Sequence, residues 1–461
     1  MSERLRLDVW LDGMAVPAGT LVAEDNGAVG FAYREDYAAG GGMPLSLSMP
    51  LSGPLSGPQS GPQSGPKAAG SFGDVATRAF FGNLLPENNV TQQIRDREGL
   101  EVNDLAGILF HLGADCSGAI SCLPAGSPPI KVPGVLATDY QALSDDETDR
   151  IITSLAERQR LPDDARDPSP LAGVQGKIAL TVLPDGRWAL PRAGIKAPTT
   201  HILKVPQRAD AGDVRLEAAA CRMARQVGLQ ASVPQTVTRS GCEGLLIERF
   251  DRVVDKGVVY RLHQEDFSQA LGLPASLKYE RNGAPGRRFD AAAIVRLLDQ
   301  TAFPARAREA FLLASLFNLA VGNSDNHGKN HALLYVGRPV PEIAPLYDIL
   351  PVRMSDRYTH QLAFRIGPAG QAADVDAEAM ADYLAAFGMS AARGRRFLLG
   401  TVRPMLQKVE AATEALAAQG LKAFDDFVGQ ELRGLSDRLD LGLVLRERDY
   451  FAPKGGGWAT S

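Results

Sequence analysis

Asn323-Ser-Asp-Asn-His-Gly-Lys-Asn330, followed downstream by Pro345-Leu-Tyr-Asp348, is the stretch on which the reading of this chain turns. It sets Asp325 five positions before Asn330 and brings a second aspartate, Asp348, a short hairpin later. Upstream, Arg308 to Val321 carries an apolar stripe (Phe311, Ala314, Leu316, Phe317, Leu319), so the motif should leave a helix that ends at Gly322. Phosphoryl transfer asks little covalent chemistry of a protein: it needs in-line positioning and cations over the developing charge. One aspartate to take a hydroxyl proton, with an Asn and an Asp to hold a divalent cation, is close to the minimum. Asn, Asp, Gly and His also build ordinary turns after helices. Asp348 and the residues upstream weigh against that account.

Composition excludes several classes. A chain of 461 residues can hold two or three domains with proper cores. Its 45% apolar and 22% charged content is that of an ordinary soluble protein. No apolar run approaches the roughly 20 residues that span a bilayer. Met1-Ser-Glu-Arg-Leu-Arg6 opens into strand-like alternation rather than a secretory core, so a cytoplasmic location with no membrane contact is expected. Cys116, Cys122, Cys221 and Cys242 show no CxxC spacing, which argues against zinc and a disulfide framework and fits a reducing compartment. A formal charge of −5 makes the whole chain no free-standing nucleic-acid binder. Contact with DNA would be local, or lent by a partner.

Residues 1–125 read as a small, mostly β subdomain. Leu5, Leu7 and Val9 alternate with polar neighbours, and Asp12-Gly13 supplies a hairpin turn before a strand from Val16 to Val22. Ser52 to Pro66 is an imperfect Ser-Gly-Pro repeat that cannot bury apolar area and reads as a solvated linker. The polar stretch Ser144 to Pro170 reads as a connection. Residues 150–262 then read as a β-rich lobe. Ile178 to Val182 and Arg187 to Leu190 flank the turn Pro184-Asp-Gly186, and Thr200 to Val205 is a strand closed by Pro206. Asp213 can cap a helix running to Gly228, and Gly244 to Phe250 is a further strand. From 263 to 461 the chain reads as helical, with the tail from Asp376 to about Leu445 in Ala-rich turns. The expected class is α+β. Its architecture is a bilobal protein-kinase-like fold, with a β-rich N-lobe, a helical C-lobe holding the catalytic loop, and an N-terminal β-rich subdomain.

Lys204, near the end of its strand, can reach phosphates as a point charge, and Glu217 in the first turn of the next helix is its natural partner. Two such charges can also be a plain surface pair. Gly173-Val-Gln-Gly-Lys177 allows backbone N–H groups near phosphate oxygens, with Lys177 adding charge. It lacks the spacing and the Ser or Thr of a Walker loop, and a turn entering a hairpin would also explain it. Glu248, Arg249 and Phe250 end a strand where the backbone could meet an adenine edge, although Phe250 fits a core equally well. Arg261 to Phe267 reads as a capped helix start. Arg393, Arg395 and Arg396 form a small basic cluster, most simply a solvated face.

Taken together, these elements resemble the HipA-type serine/threonine kinases, the toxin half of bacterial toxin–antitoxin pairs. The matching stretches are Pro44-Leu-Ser-Leu-Ser48, Phe80-Phe-Gly-Asn-Leu-Leu-Pro86, Leu171-Ala-Gly-Val-Gln-Gly-Lys177 and His201-Ile-Leu-Lys204. They continue with Glu248-Arg-Phe-Asp-Arg252, His263-Gln-Glu-Asp266, Asn323 to Asn330 and Pro345 to Asp348, in family order over most of the chain. The resemblance implies Asp325 as catalytic base and Asn330 and Asp348 on Mg²⁺. His327, Gly328, Lys329, Asn330 and Tyr347 would line the phosphate end of an ATP site, with Lys204 on the phosphates. It places Glu248 to Phe250 on the adenine, and Ala172, Gly173, Val174, Gln175, Gly176 and Lys177 in the phosphate-side loop. It further implies an aminoacyl-tRNA synthetase as substrate, a small helix-turn-helix antitoxin of the HipB type as partner, and operator DNA reached only through that antitoxin.

One departure stands out. The family places a self-phosphorylated serine two residues before the Ala-Gly of the loop, where this chain has Pro170; Ser169 is adjacent but lies between two prolines. Two rival readings remain at this stage: a catalytically silent co-repressor bound to the antitoxin, and a small-molecule kinase sharing the same base and metal residues.

Overall fold

Alternation at the N-terminus becomes β1 (Glu3–Leu11), with Leu7 and Val9 fully buried. The computed structural model describes residues 3–51, 70–85, 89–162, 165 and 176–448. The Ser52–Pro66 repeat, Pro86, Ser169, Pro170 and the loop residues Leu171 to Gln175 lie outside them. Gly13 takes φ +82 at the turn into β2 (Gly19–Glu24). β2 starts later than the expected Val16 because Pro17 has no N–H to give the ladder. There follow β3 (Val29–Tyr33), α1 (Glu35–Ala39), β4 (Ser71–Phe72), α2 (Asp74–Phe81), α3 (Asn89–Glu98), α4 (Leu105–Leu112) and β5 (Ile120–Pro124). The sheet order is β4-β3-β2-β1-β5. Phe80, Phe81 and Leu109 pack onto Leu7, Leu21 and Phe31, so this module carries more helix than its alternation announces.

Next come β6 (Gly134–Val135), β7 (Tyr140–Ala142) and α5 (Asp145–Arg158). The stretch expected as a polar connection is therefore largely a helix. Ser144 accepts from the Glu147 amide while the Glu147 carboxylate returns to the Ser144 amide at 2.8 Å, a capping box. Its buried Ile151, Ile152 and Leu155 face the sheet. That sheet is built from β8 (Gly176–Val182), β9 (Trp188–Pro191), β10 (His201–Val205), then, after α6 (Ala211–Gln226), β11 (Gln235–Arg239) and β12 (Cys242–Glu248). Its order is β11-β12-β10-β8-β9-β7, so it takes in chain from Tyr140, ahead of the expected 150. Along β10, Leu203 and Val205 point to the α5 side, and alternation sends Lys204 to the opposite face.

β13 (Arg252–Asp255) and β14 (Val258–Arg261) form a ribbon with β6. The remaining chain is not helix alone. β15 (His263–Asp266), α7 (Phe267–Ala270), α8 (Ala291–Leu298), α9 (Pro304–Val321), β16 (Ala332–Tyr335) and β17 (Glu342–Ile343) precede a short hairpin and a run of helices ending at Arg438. The three strands form a sheet in the order β15-β16-β17. Phe311, Phe317, Ile294, Leu406 and Val428 sit in one large core that also takes Met223 and Ala224 of α6, which ties the two lobes together.

The N-terminal module docks on this body through buried polar contacts. Arg261 bonds Asp12 through Nε at 2.7 Å and Asp115 through Nη1 at 2.8 Å. Buried Glu265 accepts from the Leu47 amide (3.0 Å), the Tyr335 hydroxyl (2.6 Å) and Ser46 Oγ. That explains why the Pro44–Ser48 stretch is polar at Ser46. Among the described residues no helix is long and apolar enough to cross a membrane.

Candidate active site

α9 ends as its sequence directs: Gly322 takes φ +78, and a Cβ there would meet the Phe427 ring. Asn323 next turns its side chain inward, giving Nδ2 to Asn318 Oδ1 at 3.1 Å and taking the Asp325 amide on Oδ1 at 3.1 Å. This fixes the backbone from which Asp325 projects. The Asp325 carbonyl accepts from the His327 amide (2.9 Å) and from Asn330 Nδ2 (2.9 Å), closing a loop between the two motif ends. Gly328 has no room for a side chain, because a Cβ would lie 2.7 Å from Ser268 Oγ. The Asp325 carboxylate accepts a hydrogen bond from the Tyr279 hydroxyl on Oδ1 at 2.7 Å. Tyr279 was not foreseen from sequence; it sits in irregular chain far upstream, with no motif around it.

Asp348 arrives from the other side. Leu346 exchanges backbone hydrogen bonds with Gln230 and Ser232 at 2.8 Å each. Tyr347 then gives its hydroxyl to the Lys329 carbonyl at 2.7 Å, which ties the segment carrying Asp348 to the loop carrying Asn330. Asp348 itself takes φ +56, a left-handed conformation uncommon for aspartate. Lys204 Nζ lies 2.7 Å from Asp348 Oδ1 and 2.7 Å from Glu217 Oε2. Burial opposes the Lys204 charge, but the Asp348 and Glu217 carboxylates outweigh it and hold the ammonium above the ordinary lysine range. The Lys204 charge pulls Asp348 down to about 2, with a smaller contribution from Lys177. Glu217 goes the other way: it is almost fully enclosed, so burial raises it more than Lys204 lowers it.

Several expectations need correcting. Glu217 stands in the second turn of α6, not the first, because the helix begins at Ala211. Asp213 does not cap it; Asp210 occupies the cap position, and Asp213 accepts from the Tyr358 hydroxyl at 3.1 Å. Arg249 turns away from the cleft: its guanidinium pairs with Asp251 at 3.0 Å and its amide goes to the Thr200 carbonyl. The Gly176 amide is held by Gln159 Oε1 at 2.7 Å and is not on offer to a phosphate. The Lys329 ammonium points away from the cleft, to Asn83 and Asp266. The Phe250 ring lies 5.5 Å from that of Tyr347. Buried His327 packs edge-on against Tyr279 at 5.1 Å. Glu248 ends β12 with an exposed side chain.

The donor set fits a nucleotide-bound Mg²⁺. Asn330 gives one Nδ2 proton to the Asp325 carbonyl, which leaves its Oδ1 to offer an ion, on a loop that Tyr347 ties to the segment bearing the Asp348 carboxylate. Among the described residues no group of three His, Cys, Asp or Glu could hold a metal alone. Mg²⁺ suits such a sparse site, since it keeps water and takes the rest of its shell from phosphate oxygens.

A β-rich lobe and a helical lobe, with Lys204, Asp348, Asn330 and Asp325 gathered at their junction, define a protein-kinase-like fold. The chain belongs to the HipA family: residues 169–416 match the HipA-like C-terminal domain and residues 7–123 the HipA N-terminal domain. Y4mE of Sinorhizobium fredii, named only as a candidate kinase, is 36% identical over 415 residues, covering 88% of this chain and 92% of that one. The serine/threonine-protein kinase toxin HipA of Shewanella oneidensis is 28% identical over 345 residues, 72% of this chain and 75% of the toxin. The fold also superposes on Shewanella oneidensis HipA, solved with HipB and its operator DNA, with a TM-score of 0.74. That match has 23% identity and covers 94% of this chain and 98% of the other.

Proposed function

We propose that this chain is an ATP- and Mg²⁺-dependent serine/threonine protein kinase and the toxin of a toxin–antitoxin pair. The observation that carries the reading is the linked set of bonds, Lys204 to Asp348, Tyr347 to the Lys329 carbonyl and Asn330 to the Asp325 carbonyl, around an Asp325 carboxylate that already accepts a hydrogen bond from a hydroxyl, that of Tyr279. Asp325 orients the serine hydroxyl and takes its proton as the oxygen attacks the γ-phosphorus and the bond to ADP breaks. Lys204, freed from Asp348, pairs with phosphate oxygens while Glu217 keeps its ammonium in place. Asn330 and Asp348 hold Mg²⁺, which would neutralise charge on the phosphates when bound. Phe250 and the end of β12 receive the adenine. The substrate is an aminoacyl-tRNA synthetase modified on a serine near its own ATP site, which stalls aminoacylation in the cytoplasm. The partner is a HipB-like antitoxin, through which the chain contacts operator DNA. The names of the Shewanella toxin and of its HipB–operator complex support this assignment.

The test is transfer of labelled phosphate from ATP into cell extract by the natural chain and by Asp325→Asn. One dominant labelled band, weakened about 1,000-fold in the variant, is expected. Magnesium-dependent ATP binding with no labelled band would favour a silent co-repressor, and label confined to small alcohols would favour a small-molecule kinase.

A further inference from the structure

We infer that the N-terminal module is a working part of the catalytic site, with Asn83 a positioning residue that acts through Lys329 on the metal-binding loop. The inference rests on the reading above, in which Asn330 faces Mg²⁺.

A lysine ammonium has three protons to donate. At Lys329 all are committed: to the Asn83 carbonyl at 3.1 Å, to Asn83 Oδ1 at 3.1 Å and to Asp266 Oδ2 at 2.8 Å. The side chain is 9% exposed, so it is enclosed as well as saturated and is not poised to reach a phosphate. Asn83 is equally committed. Its Nδ2 donates to the Ala79 carbonyl at 2.6 Å and to the Leu273 carbonyl at 2.9 Å, which forces Oδ1 toward Lys329. Asp266 divides its oxygens, Oδ1 capping α7 at the Gln269 amide and Oδ2 taking the lysine. An ammonium buried to this degree is expensive unless fully paired, and an apolar residue could fill the space. What lysine adds is direction.

That direction passes straight to the site. The Lys329 carbonyl is the acceptor for Tyr347, whose neighbour is Asp348. The residue after Lys329 is Asn330, which in turn holds the Asp325 carbonyl. Asn83, from the Phe80–Leu85 stretch of a separate module, thereby fixes the segment that carries both the base and a metal ligand. The module does not need Asn83 in order to stay docked. Ser46 and Leu47 on Glu265, Ser48 on the Gln269 carbonyl, and Arg261 on Asp12 and Asp115 hold it elsewhere. The specific effect of Asn83 is on the loop.

The experiment compares the full-length natural chain with Asn83→Ala, Lys329→Met and the double variant. Binding of a non-hydrolysable ATP analogue is measured by calorimetry with and without Mg²⁺, and amide exchange is followed across residues 323–331. Asn83→Ala should weaken Mg²⁺-dependent binding about 10-fold, the usual effect of losing a residue that orients a metal ligand, with metal-free binding unchanged. Exchange in the loop should quicken, and the double variant should be no worse than the worse single one. If Asn83→Ala does not fold, Lys329→Met breaks the same bridge from the other end and leaves the Asn83 bonds to Ala79 and Leu273 intact. Loop exchange and Mg²⁺ dependence equal to the natural chain would overturn the inference. So would a Lys329→Met protein that loses metal-free binding as well, because the lysine would then be a phosphate ligand. Neither readout needs phosphoryl transfer. An inactive natural chain would sink the kinase reading and leave this one to stand or fall on loop exchange.

Discussion

Replacing Glu265 by glutamine should stabilise the protein above neutral pH and leave it nearly unchanged at acid pH. Glu265 sits fully enclosed between the N-terminal module and β16, and burial raises its carboxyl to about 7 despite the hydrogen bonds from Ser46, Tyr335 and Leu47. A group that titrates near 4.5 in the unfolded chain and near 7 in the fold makes the folded state the tighter proton binder between those values. Stability from this site is therefore fully present below about pH 4.5, declines as pH rises, and is lost above about pH 7. The whole excursion is on the order of 3 kcal/mol. Glutamine keeps every contact. Its oxygen accepts from the Leu47 amide and the Tyr335 hydroxyl, and its NH₂ donates to Ser46 Oγ, which can pass its own proton to Ser48 Oγ at 2.9 Å. Urea unfolding of both proteins from pH 5 to pH 8 should give a stability difference that grows in favour of the variant across that range. A difference that stays constant with pH, or a variant destabilised equally everywhere, would refute the reasoning.

Lys204→Met should abolish phosphate transfer and destabilise the fold by about 3 kcal/mol, because it strands buried Glu217 without its cation. Adding Glu217→Gln should recover the thermal midpoint and not the activity. Tyr279→Phe removes one hydrogen bond to a carboxylate, worth about 2 kcal/mol, and should lower kcat about 10-fold or more with the KM for ATP unchanged. A rise in KM alone would place Tyr279 on the nucleotide instead. Incubation with ATP followed by mass spectrometry should find the loop before Lys177 either unmodified or phosphorylated on Ser169; phosphate on another loop residue would count against that expectation.

Local chemistry made much of this protein legible in one dimension. The αL glycine after an apolar stripe announces the end of α9, and the spacing of Asp325 and Asn330 is fixed by a loop that closes on itself through one side-chain bond. Lys204 declares its face because strand alternation leaves it opposite Leu203 and Val205. Where local rules compete, the sequence misleads by a turn or less: Asp213 is a good cap residue, yet the helix starts at Ala211. α5 could have been read from Ser144, Glu147 and the Ile151–Leu155 stripe, but its dense charge masks the pattern.

The destinations of long side chains are another matter. Arg249 and Lys329 both lie inside motifs that read as nucleotide contacts, and both turn into the protein, toward Asp251 and toward Asn83 with Asp266. Tyr279 reaches Asp325 from a stretch with no signal at all. Sequence by itself determines which groups can do chemistry and how the backbone bearing them must bend, because those depend on neighbours along the chain. Which of several cations turns to the cleft, and which is consumed in holding the loop, is decided by acceptors far away in sequence. Only the packed fold sets those acceptors within hydrogen-bond reach and removes the water that would otherwise satisfy every charge equally.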